Sequence, residues 1–265
     1  MKGIVLAGGS ATRLYPLTAT TSKQLLPVYD KQMIFYSLNT LIKAGIKEIL
    51  IIVAPEHSGQ FLNLLGSLFK KHGIQLYFEV QKVPKGLPEA FILGEKFLGN
   101  DNVTLILGDN IFEDDFSQDI IDFKKGGMVF ATKVPDPERF GVVKFDASGQ
   151  AEKIVEKPLD WISDYAITGL YVYDNKVVEA ARNLKPSERG EIEIVDLHNY
   201  YLNRKELGVK KFGGEWLDAG TFDSLLEAAN IVKNKKIYEN FHPIIDETLS
   251  EFNKELKTLS KKMLK

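Results

Sequence analysis

The sequence predicts an α/β protein whose core is a doubly wound sheet with helices on both faces. A mixed sheet continues it, and an amphipathic helix ends it. Three observations carry this. From Gly3 to Asn110, runs rich in Ile, Val and Leu alternate with helix-period stretches, the pattern of a parallel sheet covered on both sides. From about residue 127 the strand-like pieces are joined by Gly, Asp and Pro turns. Over the tail, apolar residues recur at intervals of 4, 3, 4, 3 and 4, from Ile245 through Leu249, Phe252, Leu256 and Leu259 to Met263.

Taken in order, GIVLA (3–7) reads as the first strand and MIFYSLNTLIKAG (33–45) as a helix. In that helix Ile34, Ser37, Leu38, Leu41 and Ile42 form a stripe of period 3.6, and Gly45 supplies the C-terminal stop. EILIIVA (48–54) is a strand, 58–72 a helical stretch, IQLYFEV (74–80) a strand, and Pro88 opens a helix through Phe97. NVTLILGDN (102–110) follows as a strand. MVFATKV, FGVVKFD, AEKIVEKP and DYAITGLYVYD are then strand pieces, with DASGQ a hairpin turn between the second and third. A helix over 191–204, a strand near 207–212 and a helix from Phe222 to Lys235 complete the body. No Ser/Gly-rich linker or internal repeat divides it, which predicts one body with a cleft between two lobes. The tail seam fits two arrangements, packing on its own body or joining subunits.

With 265 residues the chain can bury a large core. Lys and Arg number 34 against 36 Asp and Glu, a net charge of −2, so nucleic acid and anionic membrane are poor partners. The absence of cysteine excludes disulfides, thiol nucleophiles and thiolate metal sites, and fits a cytoplasmic setting. No stretch approaches the roughly 20 apolar residues of a membrane span, and the first apolar run is too short for a signal peptide. His57, His72, His198 and His242 lack metal-ligand spacing, which predicts a surface place for each.

The chemistry is expected beyond the carboxyl ends of the strands. There LAGGSATRLYP (6–16) places Gly8 and Gly9, whose backbone N–H groups an anion could approach, and Arg13, whose guanidinium suits phosphate oxygens. A purely steric turn is the competing reading. The string is neither a P-loop, G-x-x-x-x-G-K-[ST], nor the dinucleotide fingerprint G-x-G-x-x-G. Lys23, in SKQLLPV, is either a solvated charge or a second cation on the same polyphosphate. Asp109 in LGDN and Asp218 in EWLDAGT each follow an apolar strand. Two such carboxylates can share a Mg²⁺, although an isolated one more often serves as a helix cap or turn.

Together, LAGGSATRLYPLT, SKQLLPVYDK, LGDNIF, DPERFGVVKFD, EKP, YAITGLYVYD, LKPSERGEIEI and WLDAGT resemble the sugar-nucleotidyltransferases, most closely their thymidylyltransferase branch. The likeness runs in order from residue 1 to about 230. It implies the Rossmann-like nucleotide-diphospho-sugar transferase fold, with a nucleotide-binding part over about 1–126, a sugar-phosphate part over about 127–240 and the helix 241–265 appended. It implies Mg²⁺-dependent transfer from dTTP, or UTP, to α-D-glucose 1-phosphate. A non-catalytic nucleotide-sugar-binding protein of the same fold is the competing reading. A cytoplasmic homo-oligomer is expected beside it, although the tail helix lies outside the resemblance. By the same resemblance Leu6, Gly8, Gly9 and Arg13 would hold the triphosphate, Lys23 the α-phosphate, and Gln81 with Gly86 the base. Asp109 and Asp218 would be the metal ligands. Gly141, Glu156 and Thr168 would meet the sugar, and Lys157 with Arg189 its phosphate. Arg13, Lys23, Asp109, Lys157 and Asp218 are the catalytic set.

The chain departs from this pattern at Ala11, Pro88 and Glu89, where the family usually carries glycine, alanine and glutamine. An alanine forced to positive φ is strained by roughly 1 kcal/mol. Glu89 adds a negative charge near the base. Glu156 and Lys157 are adjacent, and side chains adjacent on a strand point to opposite faces, so both reach one ligand only if the backbone bends near Pro158.

Overall fold

The computed structural model describes residues 1–9, 11–187 and 190–263, with side chains through Lys254. The strands are β1 (Lys2–Ala7), β2 (Pro27–Val28), β3 (Lys31–Gln32), β4 (Glu48–Val53), β5 (Gln75–Val80), β6 (Val103–Leu107) and β7 (Asn110–Phe112). They continue with β8 (Gly127–Lys133), β9 (Gly141–Phe145), β10 (Ala151–Glu156), β11 (Tyr165–Tyr173), β12 (Leu207–Lys211) and β13 (Trp216–Asp218). The α-helices are α1 (Ile34–Lys43), α2 (Ser58–Leu65), α3 (Glu89–Leu93), α4 (Glu95–Leu98), α5 (Ser117–Asp122), α6 (Val177–Asn183), α7 (Ile194–Leu202), α8 (Phe222–Asn234) and α9 (Pro243–Met263).

Among the described residues, nine strands form one mixed sheet in the order β10-β9-β11-β6-β1-β4-β5, with β8 beside β11 and β12 beside β8. β6, β1, β4 and β5 run parallel. β11 enters antiparallel between β6 and β8, so the sheet passes without a break from the first half of the chain into the second. Two apolar layers cover it. One gathers α1, α8 and the start of α9, the other α3, α6 and α7.

The α1 stripe is buried as its period requires: Ile34, Ser37, Leu38 and Leu41 are 0% exposed and Ile42 4%. Each such Ile or Leu contributes about 1.5–3 kcal/mol. The helix ends in a Schellman motif, in which Gly45 N–H donates to the Ile42 carbonyl and Ile46 N–H to that of Leu41, with Gly45 at φ 72°. The DASGQ turn closes β9 onto β10 through Asp146, whose Oδ1 accepts from the N–H groups of Ser148 and Gln150.

Two helices are shorter than their patterns. The stretch from 58 stops at Leu65, and the helix opened by Pro88 breaks at Gly94 into α3 and α4. At the start of α9, Ile245 is fully buried in the core and Leu249 packs against it, while Lys71 pairs with Glu251. Leu256, Leu259 and Met263 lie beyond the described side chains. No helix among the described residues is long and apolar enough to cross a membrane.

Histidine 198 corrects the surface reading. It is 0% exposed, shares a 2.5 Å hydrogen bond with the Tyr173 hydroxyl through Nδ1, and packs between Tyr171 and Tyr173. Its position on the inner face of α7, not its residue type, decides this.

Candidate active site

Strand β6 ends at Leu107, and Gly108 carries the chain to Asp109 at the carboxyl edge of the sheet. The three-residue strand β7 then turns away and pairs antiparallel with β13, placing Asp218 opposite Asn110. This short ribbon unites two carboxylates 109 positions apart in sequence. Asn110 braces it: its amide donates to Asp109 Oδ1 at 3.0 Å, and its Oδ1 accepts from Gly169 N–H at 2.9 Å and Trp216 Nε1 at 2.7 Å.

Lys23 forms an ion pair and hydrogen bond with Asp109 Oδ2, with side-chain exposures of 12% and 16%. Burial alone would raise the proton affinity of Asp109. The Lys23 charge and hydrogen bond, with help from Asn110, outweigh it and hold the carboxyl below its usual range. Asp218 goes the other way. Burial and then the charge of Asp109 push it well above the ordinary carboxylate range, against the opposing pull of Lys23, Arg13 and Arg139. The Arg13 guanidinium lies against Gly220, where its Nη2 is 3.1 Å from the place a Cβ would occupy, beside the Asp218 carboxylate.

Arg13, Asp109 and Asp218 open on a cavity of about 570 Å³, whose wall also carries Gly141, Glu156, Lys157 and Thr168; Lys23 lies outside this wall, against Asp109. Glu156 and Lys157 both reach it because the backbone leaves the strand at Lys157, where φ is 41° and its N–H bonds back to the Phe140 carbonyl. The lysine ammonium stands 3.6 Å from Glu156 Oε1. Thr168 is buried, its hydroxyl donating to the Phe130 carbonyl at 3.0 Å.

Of the residues expected at the nucleotide, Arg13 and Asp109 line that wall, whereas Leu6, Gly8, Gly9, Gln81 and Gly86 lie outside it. Leu6 is inside β1, its carbonyl accepting from Gly108 N–H. Gly8 passes under the Gln81 side chain, whose Oε1 would be 2.6 Å from a Cβ there. Gly86 has φ +111° and presses so closely on the Ile192 carbonyl that a Cβ would sit 2.0 Å from its oxygen, so only glycine fits. Gly9 has φ +93° and Ala11 φ 45°, ψ 37°. The left-handed conformation at Ala11 is therefore real, and the alanine bears it. Arg189 lies outside the described residues.

Among the wall residues that escape the sequence reading, Arg139, Asn110, Trp216 and His198 bring polar groups to the site. Arg139 stands in the DPERFGVVKFD segment two residues before Gly141, with no signal of its own in the sequence; its guanidinium pairs with Asp136 and feels the Asp218 charge. Asn110 was hidden beside Asp109. Trp216 and His198 carried no spacing signal at all, although His198 Nε2 is buried with no partner among the described residues.

The profile of the nucleotidyl transferase family matches residues 2–235. The chain belongs to the nucleotidyl transferase family. A member from Neisseria meningitidis serogroup A, named glucose-1-phosphate thymidylyltransferase, is 52% identical over 248 residues, 91% of this chain and 86% of its own length. One of the same name from Mycolicibacterium smegmatis is 49% identical, over 88% of this chain and 82% of its own. Among solved structures, a Bacillus anthracis protein in complex with a sucrose, itself named only as a candidate glucose-1-phosphate thymidylyltransferase, superposes with a TM-score of 0.82 at 43% identity. It covers 87% of this chain and 94% of its own. A UDP-glucose pyrophosphorylase complexed with UDP-glucose gives 0.76 at 25% identity, covering 88% of this chain and 98% of its own.

The donor set also bears on Mg²⁺. Among the described residues no group of three or more His, Cys, Asp and Glu forms a metal cage. Two neighbouring carboxylates, one of which has its proton affinity raised by burial and by the charge of the other, do suit a cation that takes its remaining ligands from water and phosphate, the habit of Mg²⁺. The residues fit that group when phosphate is present.

Proposed function

We propose that the chain transfers the thymidylyl group of dTTP to the phosphate of α-D-glucose 1-phosphate, giving dTDP-glucose and pyrophosphate, the activity for which its Neisseria and mycobacterial relatives are named. The observation that carries it is the single cavity wall on which Asp109, Asp218, Arg13 and Lys157 converge. UTP is the second nucleotide of the same reading, since uracil shares the hydrogen-bonding edge of thymine.

In this reading a sugar-phosphate oxygen attacks the α-phosphorus in line, the bond to the bridging α,β-oxygen breaks, and pyrophosphate leaves. The attacker is already an anion at neutral pH, so no side chain has to remove a proton. The work is alignment of two mutually repelling anions. Arg13 and the Gly8–Gly9 backbone hold the triphosphate, and Lys23 meets the α-phosphate. Lys157 and Arg189 hold the sugar phosphate, while Gly141, Glu156 and Thr168 face the hexose. Gln81 and Gly86 face the base. Mg²⁺, held by Asp109 and Asp218, would neutralise charge on the phosphate oxygens.

A cytoplasmic homo-oligomer with small-molecule substrates, and no nucleic-acid or membrane partner, belongs to the same proposal. The balanced charge supports it, as do Phe222 and Leu226, one turn apart on α8 and 48% and 65% exposed. The test is pyrophosphate release with Mg²⁺, each nucleoside triphosphate and a panel of sugar 1-phosphates. Release greatest with dTTP or UTP and glucose 1-phosphate is expected. Release with none of the combinations would end the proposal.

A further inference from the structure

We propose that Glu89 locks the side-chain amide of Gln81 in one orientation, so that the base pocket accepts thymine and uracil and rejects cytosine; this rests on Gln81 facing the base. Glu89 is a positioning residue in this account, since it acts through Gln81.

Gln81 follows β5, held there by its N–H to the Val53 carbonyl, and is 5% exposed. Its Nε2 donates to Glu89 Oε2 at 2.7 Å, and the same oxygen accepts from Lys85 N–H at 3.0 Å. An ionised carboxylate only accepts. It can therefore be served by the NH₂ end of the glutamine and never by the carbonyl end. Oε1 is turned away from Glu89 and lies over Gly8, in the space a side chain there would fill. Among the described residues no hydrogen bond reaches that oxygen.

The amide thus offers an acceptor, Oε1, and beside it the second hydrogen of Nε2. Thymine and uracil carry an N3–H donor flanked by carbonyl acceptors, the complement of this pair. Cytosine carries an acceptor at N3 and an amino donor at C4, reversing both positions. To receive cytosine the amide would have to turn over, setting Oε1 against the Glu89 carboxylate and leaving a buried acceptor without a donor. A glutamine at position 89 relaxes this choice. Its own amide can turn with that of Gln81, donating to Oε1 instead of accepting from Nε2, at the cost of the bond from Lys85 N–H, which is exposed and can be met by water. The charge that looked foreign to a base site is what orients the reader.

The experiment measures kcat/KM for dTTP, UTP and CTP with glucose 1-phosphate, and calorimetric affinities for the same nucleotides, on the wild-type protein and on Glu89→Gln. The wild type is expected to favour dTTP and UTP over CTP by about 100-fold or more, the scale on which a site rejects a mismatched polar edge. Glu89→Gln should lose about tenfold or more of that preference. The dTTP-to-UTP ratio should stay fixed, because both bases show the same edge. A CTP preference unchanged in Glu89→Gln overturns the proposal, and so does a wild type that takes CTP as readily as UTP. If the wild type binds nucleotides but does not turn them over, the transfer reading fails and the affinity ratios alone decide the role of Glu89. An arm on the wild type alone guards against a variant that does not fold: 3-methyluridine triphosphate, lacking the N3–H, should bind about tenfold or more weaker than UTP. Equal binding overturns the orientation assigned to Oε1.

Discussion

Asp218 stands opposite Asn110 across the β7–β13 ribbon, and this pairing brings its carboxylate beside Asp109. Burial, and then the neighbouring Asp109 charge, raise the proton affinity of Asp218. Asp218→Asn removes one charge and keeps the shape. Thermal unfolding should show a midpoint no lower than that of the wild type, while kcat/KM falls by about 10²-fold or more, the scale of losing one preorganised charge at a phosphoryl site. A variant that is both destabilised and active would contradict this arrangement.

Lys23 is the partner that keeps Asp109 ionised. Lys23→Ala leaves a largely buried carboxylate without its cation, and denaturant unfolding should report a loss of about 1–3 kcal/mol. Product formation should fall at least as steeply as in Asp218→Asn, because the same ammonium is assigned to the α-phosphate.

Burial holds the His198 imidazole neutral, with its pKa lowered to about 3. The unfolded chain protonates this group near pH 6.5, so between the two values the unfolded state binds a proton that the folded state refuses. Its contribution is complete above pH 6.5 and declines as pH falls toward 3. By pH 5 the loss is about 2 kcal/mol, at 1.36 kcal/mol per unit. Unfolding free energies of wild type and His198→Asn, taken at pH 7 and pH 5, should therefore converge by about that amount. A constant difference would show that His198 takes up a proton over this range as readily in the folded protein as in the unfolded chain, contrary to its burial as a neutral group.

Ala11 occupies the left-handed region at φ 45°. Ala11→Gly relieves its Cβ and pays part of the gain back in chain entropy, so stability should rise by about 0.5–1 kcal/mol. Nucleotide affinity should be unchanged, as judged by titration calorimetry, because the backbone already holds this conformation.

Much of this was legible in the sequence, and the reasons are local. The α1 stripe, the Gly45 stop, the DASGQ turn and the Asp109 strand end are written within a few residues each. Asp109 and Asp218 could be picked out separately by the apolar strands before them. What unites them is the three-residue ribbon β7–β13, too short to leave a periodic signal. His198 was misplaced because α7 buries the face that carries it, which depends on the strands beneath. Arg139 and Asn110 lay beside residues with stronger signals. Glu89 was seen as a charge near the base, but its hydrogen bond to Gln81 spans a loop whose shape is set by Gly86 against Ile192.

The Asp109 carboxylate at the end of β6 is the group assigned to thymidylyl transfer. The most direct measurement is dTDP-glucose formed from dTTP and glucose 1-phosphate with Mg²⁺, by wild type and Asp109→Asn side by side, with circular dichroism confirming that the variant is folded. Steady product from the wild type and none above background from the folded variant is the predicted result. Product from Asp109→Asn at the wild-type rate, or none from the wild type, would contradict the account.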